Sequence, residues 1–174
     1  MRFYLKLLLI AVLAVSSLNV SAQIPSFREQ GYKGSVSLTD HLGVFVGAET
    51  SHGFMLDNHN YLGLGVGGFV FPNADHPTFM NVFLDYQNYL MNKASTPTLG
   101  MKAGFAHAFN YEENVGIHFK NAILLEPNVG WSWGLKSGKG LSLGLGASLF
   151  LPVGEARTDK KVLPMPKISF AFEF

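Results

Sequence analysis

The residues best equipped for chemistry stand together in "ETSHG", where Glu49, Ser51 and His52 supply a carboxylate, a hydroxyl and an imidazole. A nucleophile, a base and an orienting group that work together must meet on one side of the backbone. At the period-two spacing of an extended strand, Glu49 and Ser51 share a face and His52 takes the opposite one. That parity defeats a triad within the stretch, and no enzyme is expected. His41, His76, His107 and His118 offer further imidazoles, a common metal ligand. No H-x-H or HxxxH spacing joins them, so neither a metal nor a cofactor is expected.

The other candidates are charges that recur along the chain: Lys33, Glu49, Asp85, Lys102, Glu126 and Lys167. Each sits in a segment that alternates at period two, and each falls on the face shared with Gly and Ser. Three are positive and three negative. Burying isolated charges is costly, so side chains of this kind on an inward face are expected to pair with one another as a structural network rather than to run a proton relay.

The elements that must position them read as eight strands, at roughly 31–38, 43–53, 60–71, 79–90, 97–107, 121–134, 141–152 and 165–174, the number that closes a small barrel. In the seventh, Leu141, Leu143, Leu145, Ala147, Leu149 and Leu151 share one face against Ser142, Gly144, Gly146 and Ser148. The fourth sets Met80, Val82, Leu84 and Tyr86 against Asn81, Asp85 and Gln87, and the eighth sets Ile168, Phe170, Phe172 and Phe174 against Lys167, Ser169, Ala171 and Glu173. If the apolar faces turned inward, the outside would be Gly and Ser with few charges, a poor solubilising surface. Turned outward to lipid, they leave small residues to line a narrow lumen. A soluble lipocalin-like ligand binder needs the reverse assignment. Pro127 lies on the outward face of the sixth strand, where the missing donor predicts a bulge.

Composition agrees. Arg2 and Lys6 precede the apolar run Leu7–Val15, and small residues close at Ala22, which reads as a secretory signal peptide over residues 1–22 cut before Gln23. Removing those two of the 13 basic residues leaves 11 against 12 acidic, a formal net charge of −1. Nothing there calls for nucleic acid. The chain has no Cys, so an exported fold has no disulfide to lean on and no cysteine to carry a lipid. Only 14% of residues are charged, against roughly 25% in soluble domains. Residues 23–174 form one domain by length.

The connections alternate in length. "LDNHN", "MNKAST" and "KSGKG" are turn-like, "HAFNYEENVGIHFK" and "VGEARTDKKVLP" are longer, "PNADHP" is intermediate, and the short "TDHL" breaks the pattern. Short turns at one rim and longer loops at the other is the asymmetry of an outer-membrane barrel. Tyr86, Trp131, Trp133, Phe172 and Phe174 fall on outward parity near the short-turn rim, where an aromatic girdle belongs.

With its signal peptide, alternating strands and terminal "FAFEF", the whole mature chain resembles the small outer-membrane β-barrel proteins of diderm bacteria, of the OmpX/OmpA-barrel type. The resemblance implies an all-β, eight-stranded antiparallel up-and-down barrel in the outer membrane of a Gram-negative cell. It also implies that Phe170, Phe172 and Phe174 form the C-terminal signal read by the outer-membrane barrel assembly machinery. Expected partners are outer-membrane lipid and that machinery, with the barrel a monomer. The match is architectural, and such folds host several roles. The leading expectation is a non-enzymatic barrel acting in structure, surface interaction or adhesion through its exterior loops. A lipid-modifying barrel enzyme and the lipocalin-like binder are the alternatives, and a porin is disfavoured because eight strands leave no aqueous channel.

Overall fold

Period-two alternation with Gly, Asn, Asp and Ser at the breaks folds here into eight antiparallel strands. The computed structural model describes residues 28–70, 78–109, 119–135, 139–156 and 162–174; the signal peptide therefore lies outside the described residues. The strands are β1 (Gly31–Asp40), β2 (Val46–Met55), β3 (Asn60–Val70), β4 (Thr78–Tyr89), β5 (Ser95–Phe109), β6 (Phe119–Gly134), β7 (Gly140–Ala156) and β8 (Leu163–Glu173). Each pairs with its sequence neighbour, and β8 closes on β1.

Register fixes the shape. A line of paired inward residues runs from Glu173 through Ser35, Ser51, Gly65, Phe83, Gly104, Leu124 and Phe150 to Leu163. It returns to β8 ten residues from where it began, a shear that tilts the strands by about 40°. The ends of the barrel differ. At the turn end lie the short links after β2, β4 and β6; at the loop end lie those after β1, β3, β5 and β7. The strands lengthen from 10 residues in β1 to 17 in β7, and the excess lies at the loop end.

The faces sort as parity requires. Leu62, Leu64 and Val66 are exposed, whereas Tyr61, Ser51, Glu49 and Lys167 are buried. Glycine makes room inside. A Cβ on Gly65 would strike the ring of Phe83, so that ring reaches across the lumen only over a bare backbone.

The predicted bulge at Pro127 is not there. Pro127 pairs with Met101, and on the other side the ladder resumes at Asn128–Gly146 in the register it held at Leu125–Leu149. The lost donor is absorbed by a local lapse in pairing to β7, with no inserted residue. The irregularity lies instead between Phe119 and Asn121.

The link "TDHL" also finds its reason. His41 and Val44 close a two-residue turn in which Leu42 and Gly43 both have positive φ, 50° and 78°. This is the hairpin conformation that suits the strand twist, and Asp40 Oδ1 accepts the Gly43 N–H at 2.6 Å. Leu42 pays steric strain to be apolar at a tip where Asn is usual.

Candidate functional site: the lumen

All six charges named from the sequence point inward. Four of them meet. Lys167 Nζ donates to Glu49 Oε1 at 2.8 Å and to Glu126 Oε1 at 2.6 Å. Lys102 Nζ donates to Glu49 Oε2 at 2.5 Å and lies 3.7 Å from Glu126 Oε1. The tetrad draws on β2, β5, β6 and β8, so it ties both halves of the barrel through its axis. Burial of two charges of each sign is tolerable because each carboxylate has a cation within hydrogen-bond reach.

The tetrad is finished on its loop side by neutral groups. Ser148 Oγ donates to Glu126 Oε2 at 2.8 Å, and His41 Nε2 lies 2.9 Å from the same hydroxyl. His41 therefore faces the lumen, 2% exposed, rather than the rim. Its ring lies 3.9 Å from that of Phe45, which begins an apolar plug with Phe69, Phe79 and Phe150 at centroid distances of 5.0–5.8 Å. Ala106, Ala108, Ala122 and Leu124 fill the rest.

Lys33 belongs to a second cluster, at the turn end. Its ammonium donates to Glu173 Oε2 at 2.7 Å and to Tyr89 Oη at 2.6 Å. Arg28 lies over the Tyr89 ring at 4.1 Å and donates to Ser132 Oγ at 2.6 Å and to the Lys93 carbonyl at 2.9 Å. Ser132 passes its own proton toward Glu173 Oε1 at 3.1 Å. The group caps the lumen. Parity already placed Glu173 inward, but it was not counted in the network, and Arg28 precedes the first strand, where parity says nothing.

Asp85, the sixth charge, is 7% exposed and stands opposite Lys102 in the β4–β5 ladder. It faces a cavity of about 60 Å³ between the two clusters, lined also by Ser35, Tyr61, Asn128 and Ser169. The phenylalanine plug lies on its loop side and the Arg28–Lys33–Glu173 cap on its turn side.

On the outer surface Tyr32, His52 and Thr50 form a polar row. Tyr32 Oη lies 2.6 Å from His52 Nδ1, His52 Nε2 lies 2.9 Å from Thr50 Oγ1, and Thr50 donates to the Ser35 carbonyl at 3.0 Å. Read in that direction, Tyr32 donates to the ring, the ring donates to Thr50, and the last proton goes to backbone. His52 is satisfied on both nitrogens, and the Thr50 proton faces a carbonyl instead of a base. Glu49 and Ser51 are on the other side of the wall.

The aromatic residues Tyr86, Trp131, Trp133, Phe170, Phe172 and Phe174 all lie on the outer face, joined near the turn end by Tyr32 and Phe54. Tyr86 Oη donates to Asn60 Oδ1 and Trp131 Nε1 to Ser95 Oγ, each at 2.7 Å, so their polar tips reach toward the turn-end rim. His107 also faces outward, with Nδ1 2.7 Å from Asn121 Oδ1. His76 and His118 lie outside the described residues. Below the rim, in the turn after β2, Asp57 accepts from the Asn60 side chain and from the His59 and Asn60 amides, which lowers its carboxyl below the ordinary range.

Comparison with known proteins adds the fold. No protein-family model and no curated protein sequence matches the chain. Among solved structures it is similar to the N-terminal β-barrel domain of Pseudomonas aeruginosa OprF, with a TM-score of 0.57 and 11% identity over 84% of this chain and 99% of that one. It is also similar to Neisserial surface protein A, with a TM-score of 0.54 and 14% identity over 87% of this chain and 98% of the other. Both are eight-stranded outer-membrane barrels, and the chain shares that closed antiparallel fold.

Proposed function

We propose that the protein is an integral barrel of the bacterial outer membrane, exported on the signal peptide of residues 1–22. In this reading the assembly machinery inserts it by recognising Phe170, Phe172 and Phe174. The observation that carries the reading is inverted burial: charges lie inside and leucines outside. Leu64 is 63% exposed, while Lys167 and Glu126 are 4% and 2% exposed. An outer wall of this kind needs a lipid solvent. Ten residues of strand at a tilt of about 40° rise about 25 Å, the height of the apolar band in such barrels.

Its role is non-enzymatic and is exercised through the loop-end surface as a monomer, in membrane structure or contact with other surfaces. Support comes from the plugged lumen, which suits no solute channel, and from the Tyr32–His52–Thr50 row, whose hydrogen bonds leave no activated nucleophile. The test is incorporation into vesicles of brominated phospholipid. Quenching of Trp131 and Trp133 fluorescence, with no added conductance in planar bilayers, is the expected result. Recovery as a soluble periplasmic protein with unquenched tryptophans would overturn the reading.

A further inference from the structure

We infer that a notch in the barrel wall, over the tip of the β1–β2 hairpin, seats a membrane lipid whose headgroup carries a primary ammonium. The site rests on the outer-membrane reading. From Tyr32 in the turn-end aromatic belt to Asp40, β1 rises about 20 Å at a tilt of about 40°, short of the roughly 25 Å apolar band. β8 does not stop there. From Phe174 in the same belt to Pro164 the chain rises about 25 Å, which sets Pro164 level with the outer edge of the band. Among the described residues no strand pairs with Leu163–Lys167 on the β1 side, and this unpaired edge borders the hairpin tip.

The floor of the notch is apolar. Leu42 and Val44, at the hairpin tip, are 61% and 51% exposed and continue the lipid-facing wall. The β8 side accepts hydrogen bonds and gives none. Phe174 both donates to and accepts from Gly34, so by alternation residues 164 and 166 turn their backbone groups toward the notch, and as prolines they bring carbonyls without N–H groups. A neighbouring strand would need donors there as well as acceptors, so a second protein edge does not fit.

Charge narrows the occupant further. Asp40 pairs with Ile168 in the ladder, two residues below Pro166 and on the same outer face, and its Oδ1 accepts the Gly43 N–H. At this depth a carboxylate beside two bare carbonyls requires a cationic donor. A primary ammonium supplies several N–H donors and one positive charge. Its phosphate stays in the headgroup layer, and its acyl chains lie over Leu42 and Val44.

The chain has no Cys, so a single introduced cysteine can carry a bimane label at Val44, under the notch, or at Leu145, on the open wall. Each labelled barrel is placed in vesicles of phosphatidylethanolamine and phosphatidylcholine in which one or the other lipid is brominated. At Val44→Cys, brominated phosphatidylethanolamine is expected to quench about two-fold more than brominated phosphatidylcholine, whose quaternary ammonium has no donor, as one exposed charge pair would give. At Leu145→Cys the two lipids are expected to quench equally. Asp40→Asn, which keeps an acceptor for Gly43, is expected to abolish the difference at Val44. Equal quenching by both lipids at Val44, or a label there that neither lipid reaches, overturns the site while Leu145 still reports the membrane. Loss of lipid quenching at Leu145 as well overturns the outer-membrane reading itself. Should a variant not fold, native mass spectrometry of the unaltered barrel in mixed micelles decides. Retention of phosphatidylethanolamine over phosphatidylcholine is expected, and equal retention overturns the site.

Discussion

Gly34 and Phe174 exchange two backbone hydrogen bonds, of 2.7 and 2.8 Å, and the Phe174 ring lies flat enough over Gly34 that a Cβ there would stand 2.6 Å from Cε2. The ring continues across β1 to meet His52 of β2 edge-on at 6.1 Å. Phe174 thus spans the seam between first and last strands, and Gly34 is the flat place where it rests.

Gly34→Val is therefore expected to lift the ring and loosen closure, while Phe174→Ala removes the contact at a cost of about 1–2 kcal/mol. Both lower the temperature at which the folded gel band disappears, and Gly34→Val is expected to add little once Phe174 is already Ala. Full additivity of the two changes would refute the contact.

Removing one member of the tetrad leaves a buried charge uncompensated. Lys167→Met is expected to cost about 3–5 kcal/mol in urea unfolding from lipid vesicles. Pairing it with Glu126→Gln should restore most of that stability, because the remaining Glu49 and Lys102 still balance. A double variant less stable than the single one would show that geometry, not charge balance, holds the site.

β8 runs past the end of β1. Pairing between them stops at Asp40–Ile168, which leaves Leu163–Lys167 without a paired strand on that side among the described residues. The Phe174 N–H points to β1, so by alternation the donors of residues 164 and 166 would point to the gap, and both positions are proline. Pro164→Val with Pro166→Val is expected to expose two donors and yield cross-linked dimers through this edge. Unchanged monomers in a cross-linking gel would contradict that assignment.

At the β1–β2 tip, Leu42→Gly is expected to gain about 1 kcal/mol from relief of its positive φ. In vesicles, Leu42→Asn should also relax the backbone yet lose that gain by placing an amide against lipid. Unfolding midpoints in vesicles and in detergent separate the two effects.

The Asp57 carboxyl titrates below the ordinary range because it accepts from Asn60 and His59. A lowered folded value means that its support of the turn is complete above the usual carboxylate range and fades as pH falls through the lowered value. Protection factors of the His59 and Asn60 amides, measured against the intrinsic exchange rate at each pH, are expected to fall only at acid pH, and to be pH-insensitive in Asp57→Ala.

Much of this architecture was legible because a strand has one bit of information per residue, in or out, and Leu64 or Lys102 declares it plainly. Height was not legible. Lys33 and Glu173 stand 140 residues apart and meet only because the closing register sets Ser35 beside Glu173. The same blindness hid the plug: Phe45, Phe69, Phe79 and Phe150 share inward parity with Gly and Ser, and only the shear stacks them at one level. Pro127 misled for a different reason, since a missing donor marks a defect in the ladder without saying whether a residue is inserted or a pairing lapses.

The uneven strands give the molecule a sloping rim. β1 to β4 hold 10 to 12 residues and β5 to β7 hold 15 to 17, a rise of about 8–18 Å at the loop end. Whatever approaches from that side meets a parapet on one flank and, on the other, the low sill of Leu42 and Val44. The described strands thus give the barrel a high flank and a low one.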